Sequence, residues 1–306
     1  MIRRHIIFLF IISSGVGFAQ QRPVQSLYMF DPLLVNPAYA GTQVQLSATS
    51  IYRNQWVNLP GAPKTLTATA HSGFLKSKMG LGFIIANDQI GIHNDLSFYG
   101  VYAYKIKVSR IGILSFGLQG GFNNIRSDYT KLNLKNLNDP NLSGALTKFN
   151  PNIGAGAFYH QKEFYFGFSV PQIINNSVFD LEGNGSLSRQ LRYYYIQTGI
   201  SKDLSHNVKL IPSALVRLQE EAPISFDVNA TVVFQQSVGL GVSYRLNDGI
   251  VGLFELQIND NFHVGYAYDF TTSELNQFSN GSHEIMLNYR VKIMRIHQGL
   301  PCPSSW

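Results

Sequence analysis

The sequence has a single cysteine, Cys302, among its 306 residues. This count excludes an internal disulfide and a cysteine-based metal cluster. Charged residues make up 14% of the chain, whereas soluble globular domains carry roughly a quarter. The positive charges form no Lys/Arg block, so the formal net charge of +6 does not indicate a nucleic-acid partner. No apolar run approaches the roughly 20 residues that a membrane-spanning helix needs.

The first residues have the pattern of a secretory signal peptide. Arg3 and Arg4 precede a short apolar run at 6–12, and Ala19 offers a small residue for cleavage. The alternative, an N-terminal anchor helix, needs a longer run, and a lipid anchor would need a cysteine after it. We therefore predict that residues 1–19 are a signal peptide.

The segment at 27–41 is apolar, yet its prolines exclude a strand because proline has no backbone donor for a ladder. Asp31-Pro32 and Asn36-Pro37 each place a capping residue before a proline, which is typical of a helical turn at its first position. Gly41 then follows as a C-terminal cap would. The pattern predicts two short helical turns ahead of the first strand.

After Gly41 the hydrophobic pattern has a period of two. At 261–270 every second residue is apolar or aromatic, and Asp269 lies on the opposite face. Alternation ending in Tyr and Phe is typical of an outer-membrane barrel with its aromatic girdles. The sequence predicts an all-β, up-and-down antiparallel transmembrane barrel of about 14 strands, with a short non-strand plug or cap segment. The predicted strands lie at 44–56, 64–73, 78–87, 94–107, 110–123, 150–161, 163–170, 191–202, 207–219, 224–234, 236–246, 249–258, 261–270 and 283–293.

The connections between these strands sort by parity. They are short after even-numbered strands, and the long ones, at 124–150, 172–190 and 271–282, follow odd-numbered strands. Outer-membrane barrels place short turns in the periplasm and long loops outside. We therefore expect a bacterial outer-membrane protein with both termini in the periplasm. The chain then divides into a signal peptide (1–19), an N-terminal periplasmic or lumen segment (20–42), a β-barrel (43–293) and a periplasmic tail (294–306).

Charged residues within the strands must face the lumen, because a charge in lipid costs roughly 2–4 kcal/mol at the midplane. Both signs are present, which predicts ion pairs across the lumen that keep the barrel closed. The lumen charges predicted in this way are Arg53, Asp95, Glu163, Arg217, Asp227, Arg245, Glu255, Asp269 and Arg290.

Several blocks of sequence resemble one known family. They are Tyr-Met-Phe at 28–30, Asn-Pro-Ala-Tyr-Ala-Gly at 36–41, Tyr-Arg-Asn-Gln-Trp at 52–56, Gly-Ala-Pro-Lys-Thr at 61–65, the stretch at 80–91, and two blocks at 265–273 and 281–287. Together they resemble the PorP/SprF family of type IX secretion system membrane proteins, from about residue 25 to 292. The chain departs from the family pattern at Asp31, where asparagine is expected, and in its tail at 299–306.

This resemblance implies an outer-membrane barrel of Bacteroidota-type bacteria, surrounded by outer-membrane lipids. It implies a role with other type IX secretion components in exporting or attaching proteins that carry a C-terminal sorting domain, gliding adhesins included. A periplasmic, peptidoglycan-binding protein is a further implied partner. The family has no established catalytic residue to carry over.

Two groups of residues are candidates for contacts with partners. The first is the apolar segment, which packs into the periplasmic end of the barrel as a cap or else docks a periplasmic partner; its members are Tyr28, Met29, Phe30, Leu33, Leu34, Asn36 and Tyr39. The second is Arg53, Trp56 and Lys64 around the first loop, where arginine and tryptophan are typical binding anchors. The alternative for Trp56 is an aromatic girdle residue followed by a turn.

The histidines do not form a recognised site. His71, His160, His263 and His283 are scattered, without the spacing of a metal motif. We therefore expect no metal, no cofactor and no enzymatic activity. The alternatives are a lipid hydrolase that uses His71 or His283, and a porin-like outer-membrane channel.

Overall fold

The structure is a computed structural model, and it describes residues 25–43, 46–74, 78–131, 144–181, 185–220, 222–246, 248–272 and 277–291. Two 3-10 helices, Pro32–Leu34 and Pro37–Tyr39, precede all strands. None of the helices in these ranges is long and apolar enough to cross a membrane. The proposed signal peptide and the C-terminal tail, with Cys302, lie outside the described residues.

Seventeen strands follow in the described ranges. Those of the first half are β1 (Leu46–Asn54), β2 (Lys64–Phe74), β3 (Met79–Ile90), β4 (His93–Lys107), β5 (Ile113–Asp128), β6 (Ala145–His160), β7 (Phe164–Val170), β8 (Ser177–Leu181) and β9 (Gly185–Arg189). Those of the second half are β10 (Tyr193–Ile200), β11 (Lys202–Ser205), β12 (Val208–Gln219), β13 (Ser225–Phe234), β14 (Val238–Arg245), β15 (Gly249–Gln257), β16 (Phe262–Thr271) and β17 (Ser282–Val291).

Fourteen of these strands close into one antiparallel barrel, in which sequential strands are neighbours and β1 pairs with β17. The fourteen predicted strands correspond to them one to one, so the predicted fold class is confirmed. The sequence missed the β8–β9 hairpin, which stands in the predicted loop at 172–190. It also missed β11, which continues the pairing of β10 with β12: Gly199 pairs with Ser213, and Lys202 with Leu210.

The connections give the barrel two different ends. At the short-turn end, β1 begins and β17 ends, and the connections are 75–78, 108–112, 161–163, 206–207, 235–237 and 258–261. At the long-loop end lie the first loop (55–63), the connections at 129–144, 171–192 and 272–281, and three shorter ones. The predicted loop at 124–150 is shorter than expected because β5 and β6 are each 16 residues long.

Burial alternates along the strands as the period of two predicts. The outer face exposes apolar side chains such as Leu118 (61%) and Phe149 (61%), while the inner face buries polar ones such as Asn288 and Ser115. An outer face of this kind is matched to lipid, and a polar inner face is typical of a barrel lumen. In this barrel residues 25–43, hereafter the plug segment, occupy that lumen.

Candidate functional site

The plug segment runs through the barrel from the long-loop end to the short-turn end. Near the long-loop end, Gln25 Nε2 donates to Thr67 Oγ1 at 2.6 Å. At the other end, the Gly41 N–H donates to His71 Nδ1 at 3.1 Å, and Lys105 Nζ donates to the Gly41 carbonyl. The sequence predicts a cap at the periplasmic mouth; the structure instead has a segment that spans the lumen.

The local conformation of the plug segment follows from its prolines. Pro32 and Pro37 each occupy the first position of a 3-10 helix, where the missing N–H costs nothing. Asn36 caps the second helix, because its Oδ1 accepts the Ala38 N–H at 2.9 Å. The Asp31 carboxylate accepts the Thr69 hydroxyl of the barrel wall. The two predicted helical turns are confirmed.

Polar groups hold the start of the plug segment at the long-loop end. The backbone N–H groups of Ser26 and Leu27 donate to the two carboxylate oxygens of Glu284, at 2.6 and 3.0 Å. The Ser26 hydroxyl donates to Asp269 Oδ2 at 2.9 Å. Arg53 pairs with both carboxylates, with Nη2 at 2.8 Å from Asp269 Oδ2. All of these side chains are buried, so they stabilise the segment without competition from water.

The ion pairs continue along the wall rather than across the lumen. Asp227 lies 3.3 Å from Arg217 and 3.2 Å from Arg245, and Arg245 also lies 3.6 Å from Asp269. Arg245 Nη2 donates to Ser26 Oγ at 3.1 Å. The expectation of pairs across the lumen was wrong, because the plug segment occupies the centre and the charges meet between nearby strands on one side.

Glycines in the wall make room for the part of the plug segment that lies nearer the short-turn end. A Cβ atom at Gly117 would lie 2.1 Å from the Ala38 nitrogen, and one at Gly80 would lie 2.0 Å from the Ala40 carbonyl oxygen. Gly156 approaches the Asn36 side chain in the same way. No side chain fits these positions without displacing the plug segment, so wall and plug are shaped for each other.

Two apolar clusters complete the contact. The first joins Leu27, Tyr28, Met29, Phe30 and Val35 to wall residues that include Ile51, Leu215, Leu253 and Met286, with Leu34 packed against it. The second joins Leu33, Ala38, Tyr39 and Ala40 to Tyr99, Val101, Phe158 and Tyr165, among others. A cavity of about 140 Å³ remains beside Gln25 and Tyr28. All seven residues predicted for the cap or docking segment therefore line the interior of the barrel, and six of them are buried.

Burial affects two ionisable groups of the plug segment. Burial raises the pKa of the Asp31 carboxyl, although the hydrogen bond from Thr69 opposes this shift. Burial also raises the pKa of Tyr28, whose hydroxyl accepts a hydrogen bond from Asn229 Nδ2 at 2.7 Å. Both shifts favour the neutral side chain, as expected for groups enclosed with few compensating charges.

The other predicted lumen charges divide into three kinds. Glu255 is buried and lies 3.4 Å from His263 on the next strand. Asp95 and Arg290 are half-buried, with Asp95 accepting from Asn123 and Arg290 donating to Asn288. Glu163 does not face the lumen: β7 begins one residue later, at Phe164, which leaves Glu163 exposed in the turn. That prediction was wrong.

The three predicted loop contacts do not form one site. Arg53 belongs to the buried ion pairs described above. Trp56 is half-buried in the first loop with a positive φ of 48°, and its backbone N–H donates to Ser282 Oγ at 3.1 Å. Lys64 is exposed at the start of β2. Trp56 and Lys64 line a cleft of about 390 Å³ formed by the first loop.

Several residues that hold the plug segment are not among the predicted site residues. Glu284 and Asn229 of the wall form hydrogen bonds with the plug segment, and Ser26 is the plug residue bonded to Glu284. Gly117 leaves the space that the plug segment fills. The signal for Glu284 was present, since it shares the polar face of β17 with Asn288. Nothing in a period of two marks which inward glycine faces a plug.

Three of the candidate histidines have polar neighbours in the barrel. His71 accepts from the plug segment, His263 lies beside Glu255, and His283 Nδ1 lies 2.7 Å from the Tyr266 hydroxyl. Among the residues that the structure describes, no group of three or more His, Cys, Asp or Glu side chains could hold a metal ion.

Comparison with known proteins relates this geometry to outer-membrane barrels. The monoaromatic hydrocarbon channel CymD is similar in structure, with a TM-score of 0.54 and 12% identity over 92% of this chain and 96% of that one. The toluene transporter TodX of Pseudomonas putida has a TM-score of 0.50 and 8% identity over 90% and 96%. At such identities the likeness concerns the fold alone. Among curated proteins, none matches the sequence.

The sequence itself matches a family profile. The family described as "Type IX secretion system membrane protein PorP/SprF" matches residues 17–289, which include every strand of the barrel except the last residues of β17. With the closed barrel and its lipid-matched outer face, this match indicates a bacterial outer-membrane β-barrel of the type IX secretion system. The chain belongs to the PorP/SprF family.

Proposed function

We propose that the protein is a non-enzymatic, closed barrel that binds or anchors secreted proteins with a C-terminal sorting domain, such as gliding adhesins, at the cell surface. The observation that carries the proposal is the filled lumen. Residues 25–43 span it, are clamped by Glu284 and Asp269, and fit against wall glycines. A barrel built in this way binds its partners outside the lumen, because its own chain fills the interior.

The orientation of the barrel follows from its two kinds of connection. Short turns of outer-membrane barrels face the periplasm and long loops face outward. We therefore place the start of β1 and the end of β17 on the periplasmic side, where a peptidoglycan-binding partner would be met. The secreted partner is met at the long-loop end.

The partner side of the proposal is tested in outer membranes of cells treated with a crosslinker. Purification of the tagged protein is expected to recover type IX secretion components and a protein with a C-terminal sorting domain. A matched barrel from the same membrane, carrying the same tag, controls for abundance. Recovery of neither class of partner would overturn the proposed role.

The closed lumen is tested separately in planar bilayers. The purified protein is expected to show no large, steady current, because the plug segment occupies the path. The porin-like alternative predicts a large, steady, ion-selective current. The non-enzymatic part of the proposal is tested with phospholipid substrates, for which neither the wild type nor a His283→Ala variant is expected to release fatty acid.

A further inference from the structure

Strand β6 extends well beyond its neighbour β7. It pairs with β5 along its whole length, from Ala145 with Asp128 to His160 with Ile113. It pairs with β7 only from Ala155 to His160. On the long-loop side of these pairs, the segment after β7 covers the edge of β6. The Ile173 N–H donates to the Ile153 carbonyl at 2.8 Å, and Asn176 Nδ2 donates to the Pro151 carbonyl at 3.0 Å.

The Lys148 and Asn150 side chains donate to Ser177 at the start of β8, but the backbone edge at 145–149 has no strand partner within the described residues. Neighbouring residues of an antiparallel strand alternate in the side to which their backbone groups point. Because the Ile153 carbonyl points away from β5, the backbone groups of Ala145, Thr147 and Phe149 point the same way. Within the described ranges, these three residues form no hydrogen bond on that side, and all three are exposed. Pro151, which has no N–H, ends the open stretch.

The open stretch begins at the level of an aromatic row on the outer face. The ring of Phe149 lies 4.8 Å from that of Phe122, which lies 6.2 Å from that of Phe98. Such rows mark the membrane interface of outer-membrane barrels. Ala145 and Thr147 continue from Phe149 toward the long-loop end, so the open edge rises from the interface away from the lipid.

The chemistry beside the edge specifies what it would bind. Arg126 is the partner of Thr147 on β5, is exposed on the outer face, and forms no ion pair within the described part of the chain. The Thr147 side chain is short, so the Arg126 guanidinium is able to reach over it to an acidic residue on an added strand. Phe149 ends the aromatic row at the edge, where a further apolar ring extends it.

We propose that the β6 edge at Ala145–Phe149 binds an extended segment of a secreted partner protein by β-strand addition. The added strand carries an apolar residue opposite Phe149 and an acidic residue two positions away, opposite Thr147. Backbone hydrogen bonds supply the affinity, and the two side-chain contacts supply the specificity. Natural proteins commonly block exposed edges with charge, proline or a covering loop; here proline stands only at the membrane side. The inference rests on the proposed function in taking the partner to be a secreted protein.

The state of the edge is tested first by amide hydrogen exchange on the full-length protein in detergent micelles. The amides of Ala145, Thr147 and Phe149 are expected to exchange at least about 100-fold faster than those of Leu146 and Lys148, which bond to β5. Equal protection at all five positions would show that the chain's own residues cover the edge. Protection that grows with protein concentration would show a second copy in place of a partner. Either result overturns the proposal.

Binding is tested with a blocked seven-residue peptide of threonines that carries a phenylalanine and a glutamate two positions apart. It is expected to protect the three edge amides. Thr147→Pro removes an N–H that faces away from β5, so the hydrogen bonds between β5 and β6 are kept, and it is expected to weaken peptide binding at least about tenfold. Thr147→Val keeps that N–H and is expected to bind like the wild type. Heat-modifiable electrophoretic mobility confirms that each variant is folded.

The charge contact has its own matched pair. The Arg126→Glu variant is expected not to bind the glutamate peptide and to bind a peptide that carries lysine in place of the glutamate. A peptide N-methylated at alternate positions, which cannot donate to the edge, is expected not to bind. Absence of binding to the folded wild type, or equal binding by Thr147→Pro, would overturn the inference. Neither result bears on the crosslinking recovery or the conductance that test the proposed function.

Discussion

The carboxylate of Glu284 accepts the backbone N–H of Ser26 at 2.6 Å, and so joins residues 258 positions apart in the chain. The same carboxylate pairs with Arg53. One side chain at the start of β17 therefore stabilises both the barrel wall and the start of the plug segment. Because the group is buried, its removal leaves the N–H groups of Ser26 and Leu27 without an acceptor and leaves Arg53 with Asp269 as its one carboxylate partner among the described residues.

We predict that Glu284→Ala lowers the free energy of unfolding by about 3–5 kcal/mol, because it leaves a buried arginine with one partner fewer. Glu284→Gln keeps an acceptor oxygen and is expected to cost less. The measurement is urea unfolding in detergent, followed by tryptophan fluorescence. Glu163→Gln, in an exposed turn, is the control and is expected to behave like the wild type. An equal, small effect of both glutamate changes would contradict the buried clamp.

A second prediction concerns the fit between wall and plug. Gly117→Ala places a Cβ atom 2.1 Å from the Ala38 nitrogen, so the plug segment must shift. We expect a loss of stability of about 1–3 kcal/mol and a measurable current in planar bilayers. Gly120→Ala is the matched control, since it lies on the same strand with no heavy atom within 4 Å of its added Cβ. Identical currents from the two variants would argue against a tight plug.

Deletion of residues 22–41 separates a plug from a docking segment. Because the segment supplies buried partners for Glu284, Asp269 and Asn229, its loss should leave a leaky or unstable barrel. The measurements are sensitivity of cells to large antibiotics and heat-modifiable mobility. A stable, closed barrel that has lost only a periplasmic partner would instead support docking.

The fourth prediction concerns pH. Burial raises the pKa of the Asp31 carboxyl above its value in the unfolded chain. The folded protein therefore holds more protons between the two pKa values, and stability should fall as the pH rises through that window. Asp31→Asn removes the dependence and should be more stable than the wild type at neutral pH. The measurement is the free energy of unfolding between pH 4 and 8, with the exposed Asp260→Asn as control. A wild-type stability that rises with pH while Asp31→Asn stays flat would contradict the assignment.

Much of the fold was predictable, because barrel strands are encoded locally. A period of two assigns each strand its lipid and lumen faces, and the parity of the turns assigns the ends. The dipeptides Asp31-Pro32 and Asn36-Pro37 predicted two helical turns, because such turns are also encoded by neighbouring residues. The β8–β9 hairpin escaped because each of its strands is only five residues long, and Glu163 was misplaced because a strand boundary moved by one residue.

The sequence by itself therefore determined the barrel, its short-turn and long-loop ends and the non-strand nature of the plug segment. Each of these depends on neighbouring residues and on the cost of exposing polar groups to lipid. Only the tertiary structure decided where that segment lies. Its path is chosen by contacts between distant positions: Ser26 with Glu284, Ala38 with Gly117, and Gly41 with His71. The open edge of β6 likewise exists only because β7 is shorter than its neighbour, a difference between two strands that neither strand shows alone.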